Sequence, residues 1–250
     1  MKKTTKRLTM IVAILLTLVL LTSSIVSTTL AKYVVSKDAT TTVGLDKFNL
    51  DVTFTYNESY KDSVKNIGDS VEVTLKNITL KPGDDYKNLI TASISGTPTV
   101  DANIKIEIIV TEDDSSKFNV LAANFTGLSD SRYLPMGVYV GGTSVIAPYT
   151  SYAKDADIGD EIQTAIATQI ETLAKAAPNI TNKTRSGGTV TAKVDATKPV
   201  ELTGLGIGFD WPKTHGTGAA AQTLNDSIGT WVSNNQPTFN ITYRITVEQA

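Results

Sequence analysis

The side chains of this chain best suited to chemistry are few, and each has an ordinary structural role open to it. His215 is the only histidine, within the Gly/Thr-rich stretch Lys213 to Gly218. A catalytic triad, a His-Glu-x-x-His zinc site or a two-histidine metal centre needs bases or ligands that a single imidazole can barely supply. A loop histidine accounts for it. Asp155, Asp157, Asp160 and Glu161 offer the several carboxylates a calcium ion wants, but their spacing departs from the EF-hand pattern. Capping of a following helix explains the same acids. Trp211 and Trp231 could form a stacking platform for sugars, against which stands the default of core packing beside apolar strands. Cysteine is absent, which removes disulfides, thiol nucleophiles and thiolate metal sites. No Gly-rich phosphate loop or nucleophile elbow is present, and paired carboxylates are a spatial matter that sequence does not reveal. The expectation is a protein without catalytic, cofactor-binding or metal residues.

Seven Asn-x-Ser/Thr sequons occur, at Asn57, Asn77, Asn124, Asn179, Asn182, Asn225 and Asn240. Each could accept a glycan in a cell that N-glycosylates. A chain rich in Asn and Thr also produces such triplets by chance.

The elements that must position these residues are mostly strands. Phe48, Leu50, Val52, Phe54 and Tyr56 alternate with polar residues, as do Phe239, Ile241, Tyr243, Ile245 and Val247, so each set shares one face of a sheet. Shorter strands are expected at Val71 to Leu75, Leu89 to Ile94 and Ile104 to Val110. Weaker ones fall at Phe118 to Leu121, Gly137 to Val140, Thr189 to Val194 and Val200 to Phe209. Turn chemistry separates them at Lys81-Pro82-Gly83-Asp84, Ser95-Gly96-Thr97-Pro98, Gly141-Gly142 and Ser186-Gly187-Gly188. Ile158, Ile162, Ile166, Ile170 and Leu173 recur instead at helical spacing, with Asp157 as N-cap and Pro178 as stop. The fold class that follows is all-β: a jelly-roll or Ig-like antiparallel β-sandwich with one inserted amphipathic helix at about 157–176. The stretch from about 127 to 186 is expected to be an insertion carried by the β domain of residues 46–250.

The N-terminus carries an address. Lys2, Lys3, Lys6 and Arg7 precede the apolar run Leu8 to Leu21, and Thr29-Leu30-Ala31 places small residues where a signal peptidase needs them. Residues 1–31 are therefore expected to be a signal peptide cleaved between Ala31 and Lys32. An uncleaved anchor is the competing reading, opposed by the polar residues from Thr22 to Thr29. Cleavage leaves 19 basic against 25 acidic residues, a formal charge of −6, which argues against nucleic acid as a partner. The 219 remaining residues are enough for one sizeable core. The expected location is secreted, extracellular or at the cell surface, with the membrane met only through the signal segment.

Thr29 to Val34 (TLAKYV), Ser36-Lys37-Asp38-Ala39, the strand Phe48 to Tyr56 and Leu75 to Asp84 (LKNITLKPGD) occur in order. Together they resemble the TasA/camelysin family of exported bacterial surface and biofilm-matrix fibre proteins. The similarity covers about residues 29–95 and more loosely 237–250. It implies a jelly-roll fibre subunit assembled by donor-strand exchange, in which the extended N-terminus of one subunit completes the sheet of the next. Lys32 to Leu45 fits that role as the candidate assembly strand, through Lys32, Tyr33, Val34, Val35, Thr40, Thr41, Thr42 and Val43. The segment has several β-branched residues and no proline. The alternative is that it pairs within its own subunit or stays disordered. Camelysin-type relatives carry a metalloprotease label, but this chain has no zinc-binding motif.

Three functions are thus open. The first is a secreted structural subunit of an extracellular fibre or matrix, self-assembling into a homopolymer. The second is a monomeric adhesin or carbohydrate- or protein-binding module acting on extracellular-matrix or cell-surface partners. The third, a secreted hydrolase, has the least support.

Overall fold

A computed structural model describes residues 38–79, 81–112, 131–153, 156–214, 216–235 and 238–250. Two six-stranded antiparallel sheets carry the fold, and β1, β2, β12 and β14 show the alternation of a half-buried ribbon. The first sheet contains β1 (Asp38–Leu45), β2 (Leu50–Asn57), β5 (Asp85–Gly96), β13 (Val200–Asp210), β8 (Gly137–Val140) and β9 (Thr143–Ile146), neighbours in that order. The second runs β11 (Ile180–Ser186), β12 (Thr189–Val194), β6 (Ala102–Glu112), β14 (Thr238–Gln249), β4 (Ser70–Thr79) and β3 (Lys61–Ile67). A small separate pair joins β7 (Ser131–Leu134) to β10 (Thr150–Ala153). The chain passes between the large sheets from β2 to β3, β4 to β5, β5 to β6, β12 to β13 and β13 to β14. The all-β antiparallel sandwich expected from the sequence is the fold of the chain.

Its core is one continuous apolar cluster between the two sheets. Phe54 of β2 meets Tyr243 of β14 edge-on with ring centroids 5.4 Å apart, and Phe209 of β13 meets Phe239 of β14 at 5.0 Å. Both separations lie in the range where the quadrupoles of tilted rings attract. Phe239, Ile241, Tyr243, Ile245 and Val247 are all buried, as their spacing requires. On the other face of β14, Arg244 donates from Nε to Glu72 (2.8 Å) and from Nη1 to Glu107 (3.3 Å), and Lys65 reaches Glu72 at 3.2 Å. These groups tie four strands together across one sheet. Burial works to raise the pKa of Glu72, but the bonds from Arg244 and Lys65 outweigh it and hold the carboxyl below its ordinary value.

The helix α1 (Ile158–Ala176) forms where expected. The Asp157 carboxylate accepts the Asp160 N–H at 3.1 Å, which satisfies a backbone donor at the exposed start of the helix. Ile158, Ile162, Ile166 and Ile170 are buried against the sandwich. Within the stretch expected to be an insertion, β8 and β9 extend the first sheet, β11 borders the second, and α1 packs on strands of both.

β3 and a second helix are among the elements that the sequence did not lead one to expect. β3 (KDSVKNI) lacks an apolar repeat, and an edge strand with a mostly exposed burial pattern needs none. A second helix, α2 (Ala219–Asn235), lies between β13 and β14. The spacing of Leu224, Ile228, Trp231 and Val232 in the sequence carries its signal, which a short Gly- and Thr-rich approach obscures. Among the described residues no helix is long and apolar enough to cross a membrane.

Candidate functional site

Two open sheets leave four edges, and an edge strand with unpaired N–H and C=O groups is a template for another chain unless something blunts it. β9 has only four residues. β3 carries Lys61, Asp62 and Lys65, paired with Glu58, Lys76 and Glu72 at 3.1, 3.0 and 3.2 Å, and its ladder slips between Lys61 and Ser63. β11 slips between Thr181 and Thr184, where Asn182 has φ 46°, and bears Lys183 and Arg185. Brevity, charge and bulges are the usual defences of an edge. β1 has none of them. Its eight residues pair with β2 without a slip, from Asp38 opposite Asn57 to Leu45 opposite Leu50, and no charge follows Asp38.

β1 is also weakly held. Ala39, Thr41, Val43 and Leu45 face inward, yet only Leu45 is fully buried. The outward residues make a hydroxyl ladder with β2: Thr40 to Thr55 at 3.2 Å and Thr42 to Thr53 at 3.0 Å. Thr41 meets the Tyr56 hydroxyl at 3.2 Å. The two threonine pairs are exposed, so their bonds replace bonds to water and each adds little, about 1 kcal/mol at most.

The turn that joins β1 to β2 is held far more firmly. Phe48 is buried within it, and its N–H donates to the Leu45 carbonyl at 2.8 Å. Asn49, at φ 53°, donates from Nδ2 to the Thr97 carbonyl at 2.7 Å, while Thr99 donates from its N–H to Phe48 (3.4 Å) and from Oγ1 to Lys47 (3.3 Å). Asparagine tolerates this left-handed backbone better than most residues. The anchored part of the chain therefore begins at Leu45. Gly44, just before it, is the position with the greatest conformational freedom.

Of the residues singled out from the sequence, Thr40, Thr41, Thr42 and Val43 lie in β1, paired with the β2 of their own chain. Ala31, Lys32, Tyr33, Val34 and Val35 lie outside the described residues, as do the rest of the signal segment, His215, Asn124 and Asp155. Asp157 caps α1, and Asp160 accepts from the Gln163 amide at 2.8 Å. Among the described residues no three His, Cys, Asp or Glu side chains come together to hold a metal. Trp211 is buried in the core, and Trp231 lies on α2. Among the sequons, Asn57 is buried and accepts the Ser59 N–H, and Asn179 donates to the Pro199 carbonyl. Asn240 accepts the Asn77 N–H.

No sequence signal named β1 as the undefended edge. That property depends on which strands end up at the borders, so it needs the strand order. No family model matches the chain, and no curated protein matches its sequence.

Proposed function

We propose that this chain is an exported structural subunit that assembles into an extracellular fibre by exchanging β1 between copies. The observation that carries the reading is the contrast among the four edges: β1 alone is long, regular and uncharged beyond its first residue, and it is lightly anchored. Export rests on the basic and apolar leader and the small residues before Lys32.

Exchange is energetically cheap because the same ladder forms in both states. When residues 38–44 leave their own β2 and lie on the β2 of the next copy, every backbone bond lost is remade in trans. Only the pivot changes. Gly44 is suited to absorb that change, since the turn beyond it is tied to residues 97–99. The linkage is head-to-tail, so it propagates into a filament when the rotation does not close.

The absence of native cysteine makes a clean test possible. Thr42 and Thr53 are directly opposed, and opposed residues in antiparallel strands sit about 4.5 or 5.5 Å apart, within disulfide range. The oxidised Thr42→Cys/Thr53→Cys protein is expected to stay monomeric by electron microscopy and to form filaments once reduced. Mixing the two single variants should give disulfides between copies inside filaments. Filaments from the oxidised double variant, formed as readily as from the reduced one, would sink the exchange mechanism.

A further inference from the structure

A groove of about 610 Å³ lies between α2 and the turn that follows β4. Gln222, Asp226, Thr230 and Asn234 line it from the helix. They are spaced four apart, so they form one ridge about 18 Å long at 1.5 Å per residue. Lys213 and Pro82 form the opposite wall. The lysine stem lies against Gly83, where a β-carbon would collide with it.

The chemistry of the lining is specific. Amide side chains present a donor and an acceptor in one plane, which is what a hydroxyl group needs because it both donates and accepts. Gln222 and Asn234 supply that set at intervals, and the Asp226 carboxylate adds a strong acceptor. Among the described residues neither Asp226 nor Lys213 makes an ion pair. Asn225 is already oriented: the Tyr149 hydroxyl, next to the buried Trp211, donates to its Oδ1 at 3.4 Å. The Thr230 hydroxyl donates to the Asp226 carbonyl at 2.8 Å, which leaves its oxygen as an acceptor. Pro82 and the methylenes of Lys213 give one flat apolar wall. A peptide ligand would need apolar anchor pockets, and among the described residues that line the groove Pro82 alone is apolar.

We infer that this groove binds a polyhydroxylated chain, an oligosaccharide laid along the Gln222 to Asn234 ridge. Asp226 and the amides engage its hydroxyls, and Lys213 closes over it. The site is remote in sequence from β1, and its occupancy does not depend on strand exchange.

The test uses the full mature chain on an array of neutral, N-acetylated and uronic-acid oligosaccharides, followed by titration calorimetry with the best-retained sugar. Gln222 and Asp226 are exposed, so Gln222→Ala/Asp226→Ala should keep the thermal midpoint of the parent. The expected result is retention of one sugar class, weakened at least tenfold by that double variant and by Lys213→Ala, with filament formation unchanged. The inference is overturned if no oligosaccharide is retained at millimolar concentration, or if the variants bind as tightly as the parent. Capture of peptides in place of sugars overturns it equally.

Discussion

β1 and β14 are both read from the sequence as extended, β-branched segments, and they occupy opposite extremes of the fold. β14 pairs on both sides, with β4 and β6, and buries all five of its inward apolar side chains. Among the described residues β1 pairs on one side only, and it buries one apolar side chain. A central strand belongs to its own chain because leaving would expose a core. An edge strand whose side chains are small loses little by leaving. The difference between a firmly held strand and a lightly held one is thus a matter of neighbours and side-chain volume, not of backbone conformation.

Four measurements can break or sharpen that comparison. Tyr243→Ala in β14 removes a fully buried ring at the junction of the sheets and should cost about 3–5 kcal/mol in urea denaturation. A loss under about 1 kcal/mol would show that β14 is no better held than β1. Acid should come next. Because the folded Glu72 pKa is depressed, its contribution is full above the ordinary carboxylate range, near pH 4.3, and is lost as pH falls through that range toward the lowered value. Glu72→Gln should flatten this part of the stability profile relative to the parent, and an unchanged profile would remove Glu72 as its source.

Val43→Ala in β1 is expected to cost about 1 kcal/mol or less, since the residue is half-buried at an edge. A cost comparable with Tyr243→Ala would contradict the weak anchoring on which exchange depends. The smallest effect belongs to Tyr243→Phe. The Tyr243 hydroxyl is buried without a hydrogen-bond partner among the described residues, so its removal should be neutral or stabilising by about 1 kcal/mol, read as a rise in the urea midpoint.

Much of the sandwich was legible in the residues because burial on one face writes a two-residue period into a strand. Val200 to Phe209, Thr189 to Val194 and Gly137 to Val140 fall within a residue of the observed strands for this reason. β3 was not legible, since a strand that buries almost nothing leaves no period. α2 was passed over because its Gly- and Thr-rich approach reads as loop and its apolar repeat is broken by polar residues. The candidate site was legible as a segment: Thr40 to Val43 stand out by β-propensity. The groove along α2 was hidden, as the helix that builds it was.

By itself the sequence determined the absence of thiol chemistry, the antiparallel strand-rich class and the capped helix after Asp157. Each is written in local composition or periodicity, and local rules suffice for them. The tertiary structure alone decided that β1 is a border strand, that the other three edges are defended, that β8, β9 and β11 join the two large sheets, and that Lys213 and Asp226 line one groove. Those facts depend on which segments become neighbours across distances of up to the whole chain. Long-range pairing is set by the packing of the core, which no short window of residues contains.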